Sequence, residues 1–457
     1  MPVTDDDGDR ASRRAVAIVA AILLVLLAGR VYYVVHFPFY PPVADAAGYD
    51  AAALNLLKTG TYSYPISEFT PEGTVSPAGL ARLASRRPNA YVVPGYPVML
   101  AGVYAVSGTG PGRLGAVRVV QAVLSVLAAF LTYLTTSRLW GRRTGLVALV
   151  GMAIVPQFTF ACEYLLTEPL FLFLLVLFAY LIVVALDTRR WTLFAAAGLV
   201  FGAATLVRPT FALWPILLFA WLLLRDRKRW REGIVPIAAF CLAALLLFVP
   251  WWARNYRVYG HFVPMSTAGA GALLGSLSDS YLDHSLPKTP YPMHLLDDDA
   301  AMGAWWQQQA SARLAAVLRD RPGDLLRSRA VGLGLALTRD WPDGIRLVRF
   351  YPFITGMDRA ALWILDILAV VGLIIGRKRR GVFLVASFPL YFIAVHLATL
   401  VLNRYLFAQL PFQVMLSALA IVMLCDRLRP TGSTTDVAHP SSRWRRSAAF
   451  QPPRSTS

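Results

Sequence analysis

Long apolar runs alternate along this chain with short links that hold its arginines, and that alternation leaves few folds open to it. A helix of about 20 apolar residues crosses a hydrocarbon core roughly 30 Å thick, and in lipid every backbone polar group must be satisfied within the segment. Ten runs are expected to cross: 15–35, 115–137, 146–161, 169–186, 193–207, 211–224, 234–252, 361–376, 382–397 and 405–425. Arg13 and Arg14 precede the first run and place the N-terminus in the cytoplasm. On that count the basic links 138–143, 187–190, 225–231 and 377–380 all fall on the cytoplasmic side. A further apolar piece, 94–106, would invert every later link if it crossed, so it is expected to be re-entrant or interfacial.

The expected class is an all-α polytopic membrane protein. Residues 1–425 form one module whose outer segments are 37–111 and 253–359, and 426–457 reads as a disordered cytoplasmic tail rich in Ser, Thr, Pro and Arg. In the second outer segment, 297–321 has acids at its start, bases at its end and Pro322 after it, the pattern of an amphipathic surface helix. The net charge of +18 sits in the links and the tail, so it speaks for anionic lipid headgroups and against nucleic acid. Cys162, Cys241 and Cys425 are far apart in apolar surroundings and imply neither a disulfide framework nor a metal cluster. The first run is too long for a removable signal peptide and lacks a small-residue cleavage site. The sequence shows no internal repeat, Walker loop, zinc spacing or Gly-x-Ser-x-Gly elbow.

Chemistry is expected where charge meets the outer ends of the spans, because an isolated charge in lipid costs at least a few kcal/mol. Just after the first span the chain reads VADAAGYDAAALNLLKTGTYSYP over 43–65. Asp45 is a good N-cap for a helix that ends near Lys58 and Gly60, and it has two readings, a helix cap or a general base. Asp50, five residues on, turns to a different face; Tyr49, about one turn on, is the nearer neighbour. Glu163, Glu168, Arg208, Arg254 and Arg404 reach the same leaflet. Glu168 before Pro169 also reads as a first-turn acid, Arg208 before Pro209 as a snorkelling helix end, and Arg254 and Arg404 as interface anchors. Together they suit a lipid-linked phosphosugar: arginine pairs with phosphate through a planar fork, and a carboxylate takes a proton from an attacking hydroxyl or amine. No ligand spacing demands a cofactor; a divalent metal would draw on Asp45, Asp50, Glu163 and Glu168.

Several pieces, in order, resemble the bacterial GT-C glycosyltransferases of family 39, relatives of the protein O-mannosyltransferases and the lipid A aminoarabinose transferase. They are Asp45, Tyr49, Asn55-Leu56-Leu57, Gly60 and Tyr62-Ser63; then Pro94-Gly95-Tyr96-Pro97, Thr167-Glu168-Pro169-Leu170-Phe171 and Arg208-Pro209; finally Pro250-Trp251 with Arg254-Asn255-Tyr256, and Arg404-Tyr405. The resemblance implies a cavity at the outer membrane surface and a sugar carried on a polyprenyl phosphate. The sugar would pass with inversion to a lipid, glycan or protein acceptor at the periplasmic face of a bacterial inner membrane. It further implies that Asp45 activates the acceptor, that Arg254, Arg404 and Arg208 hold the donor phosphate, and that Tyr49, Glu163, Glu168, Tyr96 and Tyr405 shape the site. Two departures stand out. Where many relatives carry a base before the Pro of the Pro-Gly-Tyr-Pro piece, this chain reads Val92-Val93, with Arg86 and Arg87 upstream; and Asp45 is followed by Ala46, where protein mannosyltransferases often have Glu. A transporter or flippase of a lipid-linked substrate, or a non-catalytic polyprenyl-lipid binder, would use the same charges. The missing repeat between halves speaks against the transporter.

Overall fold

The computed structural model describes residues 5–37, 42–66, 74–83, 87–225, 230–278, 282, 292–338 and 352–428. Among them the ordered elements are helices. Helix α1 (Asp5–His36) holds the first span, and α2 (Asp45–Thr59), α3 (Pro77–Leu83) and α4 (Gly95–Ser107) follow outside it. The bundle continues through α5 (Arg113–Trp140), α6 (Arg142–Ile154), α7 (Gln157–Phe160), α8 (Glu168–Thr188), α9 (Trp191–Val207), α10 (Trp214–Arg225) and α11 (Ile234–Tyr259). One short helix and three longer ones come next: α12 (Gly269–Ser276), α13 (Asp299–Asp320), α14 (Pro322–Thr338) and α15 (Pro352–Gly376). The bundle closes with α16 (Val382–Ala398) and α17 (Leu410–Arg427).

Every expected span coincides with a helix, though not every one at full length. Among the described residues six helical stretches are long and apolar enough to cross a membrane: Arg14–His36, Arg113–Trp140, Glu168–Thr188, Arg231–Tyr259, Arg359–Gly376 and Arg404–Arg427. Trp191–Val207, Pro209–Trp221 and Val382–Ala398 are apolar but shorter. The expected span 146–161 is corrected: α6 stops at Ile154 and Val155 turns extended, because Pro156 disfavours helical backbone in the residue before it. Helix α4 is 13 residues long, about 20 Å at 1.5 Å per residue, too short to cross as drawn from 94–106. The protein is an all-α, multi-pass membrane protein.

The basic links meet at one end of the bundle. Arg138 Nε donates to Asp187 Oδ2 at 2.8 Å, Arg380 pairs with the same carboxylate, and Arg143 pairs with Asp426. Trp140 Nε1 donates to the carbonyl of Arg380 at 2.8 Å. The ends of α5, α8 and α17 and the α15–α16 turn therefore share one surface, as the positive-inside pattern requires.

Small residues let backbones meet within the bundle. A Cβ on Gly198 of α9 would lie 2.2 Å from the carbonyl oxygen of Phe240 on α11, a contact that only glycine permits. Gly198→Ala is expected to destabilise by about 1–3 kcal/mol, seen as a lower melting temperature in detergent. An unchanged melting temperature would show that the two helices do not approach this closely.

One buried carboxylate joins the two outer segments to each other and to α11. Asp299 Oδ2 accepts from Tyr259 Oη at 2.6 Å, Thr267 Oγ1 at 2.8 Å and the Ala90 N–H at 3.1 Å, joining α13, α11 and the segment before α4. Asp298 caps α13, its side chain accepting from the Ala301 N–H at 2.9 Å, so the amphipathic helix expected over 297–321 forms with nearly those bounds. The tail expected over 426–457 begins within the last helix, since α17 runs to Arg427; residues 429–457 lie outside the described residues, as does Arg86.

Candidate active site

Asp45 opens α2, but not as its cap. It is the first helical residue; Ala44 occupies the cap position with φ 49° and no side-chain hydrogen bond closes the helix end. A non-glycine residue at that φ is held by its surroundings at a cost of order 1–3 kcal/mol. The Asp45 carboxylate turns away and accepts from Arg404 Nη2 at 2.5 Å, a charge-assisted bond about twice as strong as a neutral one. The N-cap reading of Asp45 is thus corrected. The far end forms as expected, with Gly60 at φ 68° donating to the Leu56 carbonyl.

Asp50 points elsewhere. It is 7% exposed and receives Arg113 Nε at 2.9 Å, Arg113 Nη2 at 2.7 Å and Tyr104 Oη at 2.7 Å, which locks α2 to α4 and α5. Tyr49 lies among rings, 5.2 Å from the centroid of Tyr96 and 6.0 Å from that of Tyr64. Burial raises the Tyr49 phenol well above its ordinary pKa and the Asp45 carboxylate adds to the shift, so this hydroxyl stays neutral. Gly48 makes room for the arrangement: a Cβ there would meet the Tyr64 ring at 2.2 Å.

Arg208 and Glu168 form a second pair. Arg208 donates through Nη2 to Glu168 Oε1 at 2.6 Å and through Nε to Thr167 Oγ1 at 2.9 Å; the Glu168 side chain is 2% exposed. Its guanidinium lies 5.6 Å from the ring centroid of Tyr405, and that of Arg404 lies 5.3 Å from the same centroid. Asp45, Arg404, Tyr405, Arg208 and Glu168 are thereby brought into one group. Tyr49 joins them, since both acids and both arginines act electrostatically on its hydroxyl.

Arg254 belongs to a neighbouring set. It donates to the Tyr62 carbonyl at 2.8 Å and to Asn255 Oδ1 at 2.9 Å, and lies 5.0 Å from the Trp251 ring. Tyr62 in turn donates its hydroxyl to the carbonyls of Val92 at 3.1 Å and Val93 at 3.3 Å. One tyrosine thus bridges Arg254 to Val92 and Val93.

Tyr96 and Glu163 are held by groups that sequence reasoning passed over. Tyr96 donates to Gln121 Oε1 at 2.7 Å, and Gln121 Nε2 donates to the carbonyls of Cys162 at 3.0 Å and Tyr164 at 2.8 Å. Glu163 accepts from Tyr33 Oη at 2.6 Å, away from the Asp45 group. Burial lifts the Glu163 carboxyl above the usual range, against the pull of the Tyr33 hydrogen bond. A raised carboxyl binds its proton more readily in the folded than in the unfolded state, so its contribution to stability is lost as pH rises through the interval between the two pKa values. Glu163→Gln cannot ionise and still accepts from Tyr33. Its melting temperature relative to wild type is expected to rise from mildly acidic to mildly alkaline pH, and a pH-independent difference would contradict the burial effect.

The four acids that a metal would have drawn on each engage a different partner: Asp45 Arg404, Asp50 Arg113, Glu163 Tyr33 and Glu168 Arg208. Among the described residues no group of three or more His, Cys, Asp or Glu side chains is placed to hold a metal ion.

A helical bundle with helices on its outer end and paired acids and arginines beneath them has the fold of the GT-C membrane glycosyltransferases. The oligosaccharyltransferase of Archaeoglobus fulgidus, solved with zinc and sulfate, is similar at a TM-score of 0.52 and 18% identity, over 89% of this chain and 49% of that one. AglB of the same organism, solved with an inhibitory peptide and dolichol-phosphate, is similar at 0.53 and 15%, over 90% and 50%. The chain thus spans about half the length of these archaeal proteins. ArnT of Cupriavidus metallidurans, bound to undecaprenyl phosphate, aligns at 0.43 and 15%, over 89% and 77%. Within the chain, residues 89–253 match the family described as dolichyl-phosphate-mannose-protein mannosyltransferase. No curated protein sequence matches. The resemblance to GT-C glycosyltransferases related to the mannosyltransferases is borne out; the matched segment includes Tyr96, Glu163, Glu168 and Arg208, whereas Asp45, Arg254 and Arg404 lie outside it.

Proposed function

We propose that the protein is an integral membrane glycosyltransferase that moves a sugar from a polyprenyl-phosphate donor to a lipid, glycan or protein acceptor. Transfer takes place at the periplasmic face of a bacterial inner membrane. What supports this most is the half-exposed Asp45 carboxylate set against Arg404, on elements opposite the basic links, in a chain with the GT-C fold. Asp45 takes a proton from the acceptor hydroxyl or amine as that group attacks the anomeric carbon on the face opposite the phosphate. The bond from the anomeric carbon to the phosphate oxygen breaks, its electron pair leaves with the polyprenyl phosphate, and the configuration inverts.

Arg404 and Arg254 are assigned to the phosphate. Arg254 stands beside Val92-Val93 through Tyr62 and supplies the charge those valines lack. Arg208, already committed to Glu168 and Thr167, shapes the site together with Tyr49, Tyr96 and Tyr405. The sugar arrives activated, so no nucleotide site is needed.

Purified protein incubated with polyprenyl-phosphate sugars is expected to release free polyprenyl phosphate in step with glycosylated acceptor. Proteoliposomes that move the donor across the bilayer without cleaving it would point to a transporter instead.

A further inference from the structure

The two arginines beside Tyr405 are held very differently. Arg208 is clasped by Thr167 and by a Glu168 side chain only 2% exposed, whereas the Arg404 and Asp45 side chains are 30% and 42% exposed. A pair sealed from water resists the loss of either partner, while a pair that water reaches is weak and exchanges readily. Among the described residues Asp45 is the one side chain to which Arg404 donates, and it engages Nη2 of a fork with five N–H donors. Arg404 also lies at the second position of a 3₁₀ turn (Asn403–Gln409) that follows extended backbone at Leu402, so its base is not on an α-helix.

We propose that Asp45 and the phosphate of the lipid donor compete for Arg404. The ligand-free protein holds the guanidinium on the carboxylate, and bound phosphate draws it off. The proposal rests on the polyprenyl-phosphate donor inferred above. Donor binding thereby frees the Asp45 carboxylate to meet the acceptor, while in the ligand-free protein its Oδ2 is occupied by Arg404.

Charge moves the same way during transfer. As the acceptor's bond to the anomeric carbon forms, its proton passes to Asp45, which loses one unit of negative charge. The leaving phosphate, a singly charged diester, gains one as it becomes a monoester with the broken bond's electron pair. Arg404 follows the charge from carboxylate to phosphate.

Titration of detergent-solubilised protein with a polyprenyl phosphate of defined length tests this without turnover. Asp45→Asn removes the competitor and is expected to bind about tenfold more tightly than wild type, while Arg404→Gln binds about tenfold more weakly, each near 1.4 kcal/mol. In the double variant the gain from Asp45→Asn disappears. Arg404→Lys keeps a cation there and reads the same coupling if the Gln variant folds poorly. An Asp45→Asn variant that binds no more tightly, or a gain that survives without Arg404, overturns the competition and leaves the donor assignment standing. Wild-type protein that does not bind polyprenyl phosphate overturns both.

Discussion

Asp45→Asn is expected to slow sugar transfer by about 10²–10⁴-fold, the usual contribution of a positioned general base, while the protein stays folded and still binds lipid phosphate. Folding should survive because little structure hangs on this carboxylate. It does not cap α2, and among the described residues its side-chain partner is an arginine 30% exposed, in a class of ion pair worth about 0–1 kcal/mol. Asparagine matches aspartate in shape and differs in its inability to take the acceptor's proton. The check is the initial rate of polyprenyl phosphate release beside the melting temperature. Transfer within a few-fold of wild type would remove Asp45 from the mechanism.

Asp50→Asn is the control, since it keeps the shape of a nearby acid that is buried and doubly bonded by Arg113. Breaking that pair should lower the melting temperature, with any loss of rate following the loss of folded protein. The reverse result, a stable Asp50→Asn protein with no transfer, would exchange the roles of the two acids.

The contrast between those acids shows what the chain alone disclosed. Helical geometry sufficed to turn Asp50 away from Asp45, because five residues along a helix set two side chains on different faces. It did not supply the partners. Arg404 is 359 positions from Asp45 and Arg113 is 63 from Asp50, and no local rule connects such pairs. The cap reading of Asp45 failed for that reason: the carboxylate meets an arginine that nothing near it in the chain announces. The spans were readable because hydropathy and positive-inside charge are local signals. Pro156 was a local signal too, yet the apolar run on either side of it outweighed the rule that a residue before proline leaves the helix. Arg30, a charge inside the first span, was passed over; it is 1% exposed and donates to Ser125 Oγ at 2.7 Å and the Met152 carbonyl at 2.8 Å. Gln121 carried no signal, since an uncharged amide in an apolar run shows its worth only once Tyr96 and two carbonyls are seen around it.

Glu168→Gln is expected to cost about 3–5 kcal/mol of stability, the typical price of leaving one member of a buried ion pair without its counter-charge. The geometry puts the pair in that class. Glu168 is 2% exposed and Arg208 13%, and the guanidinium is already turned toward Thr167 and the Tyr405 and Phe171 rings, so little of it reaches water. Arg208→Gln strands the opposite charge and should cost a similar amount. In the double variant neither charge is stranded, and the loss should fall below the sum of the single losses by well over 1 kcal/mol. Melting temperatures or denaturant unfolding in one detergent measure all four proteins, and losses that simply add would show the two side chains to be independent. Function divides along the same line. If Arg208 acts by holding Glu168 and the Tyr405 ring in place, the double variant recovers stability and part of its rate with little change in donor KM. A KM that rises steeply with Arg208→Gln and stays high in the double variant would return Arg208 to the phosphate, where the order of its motif had first put it.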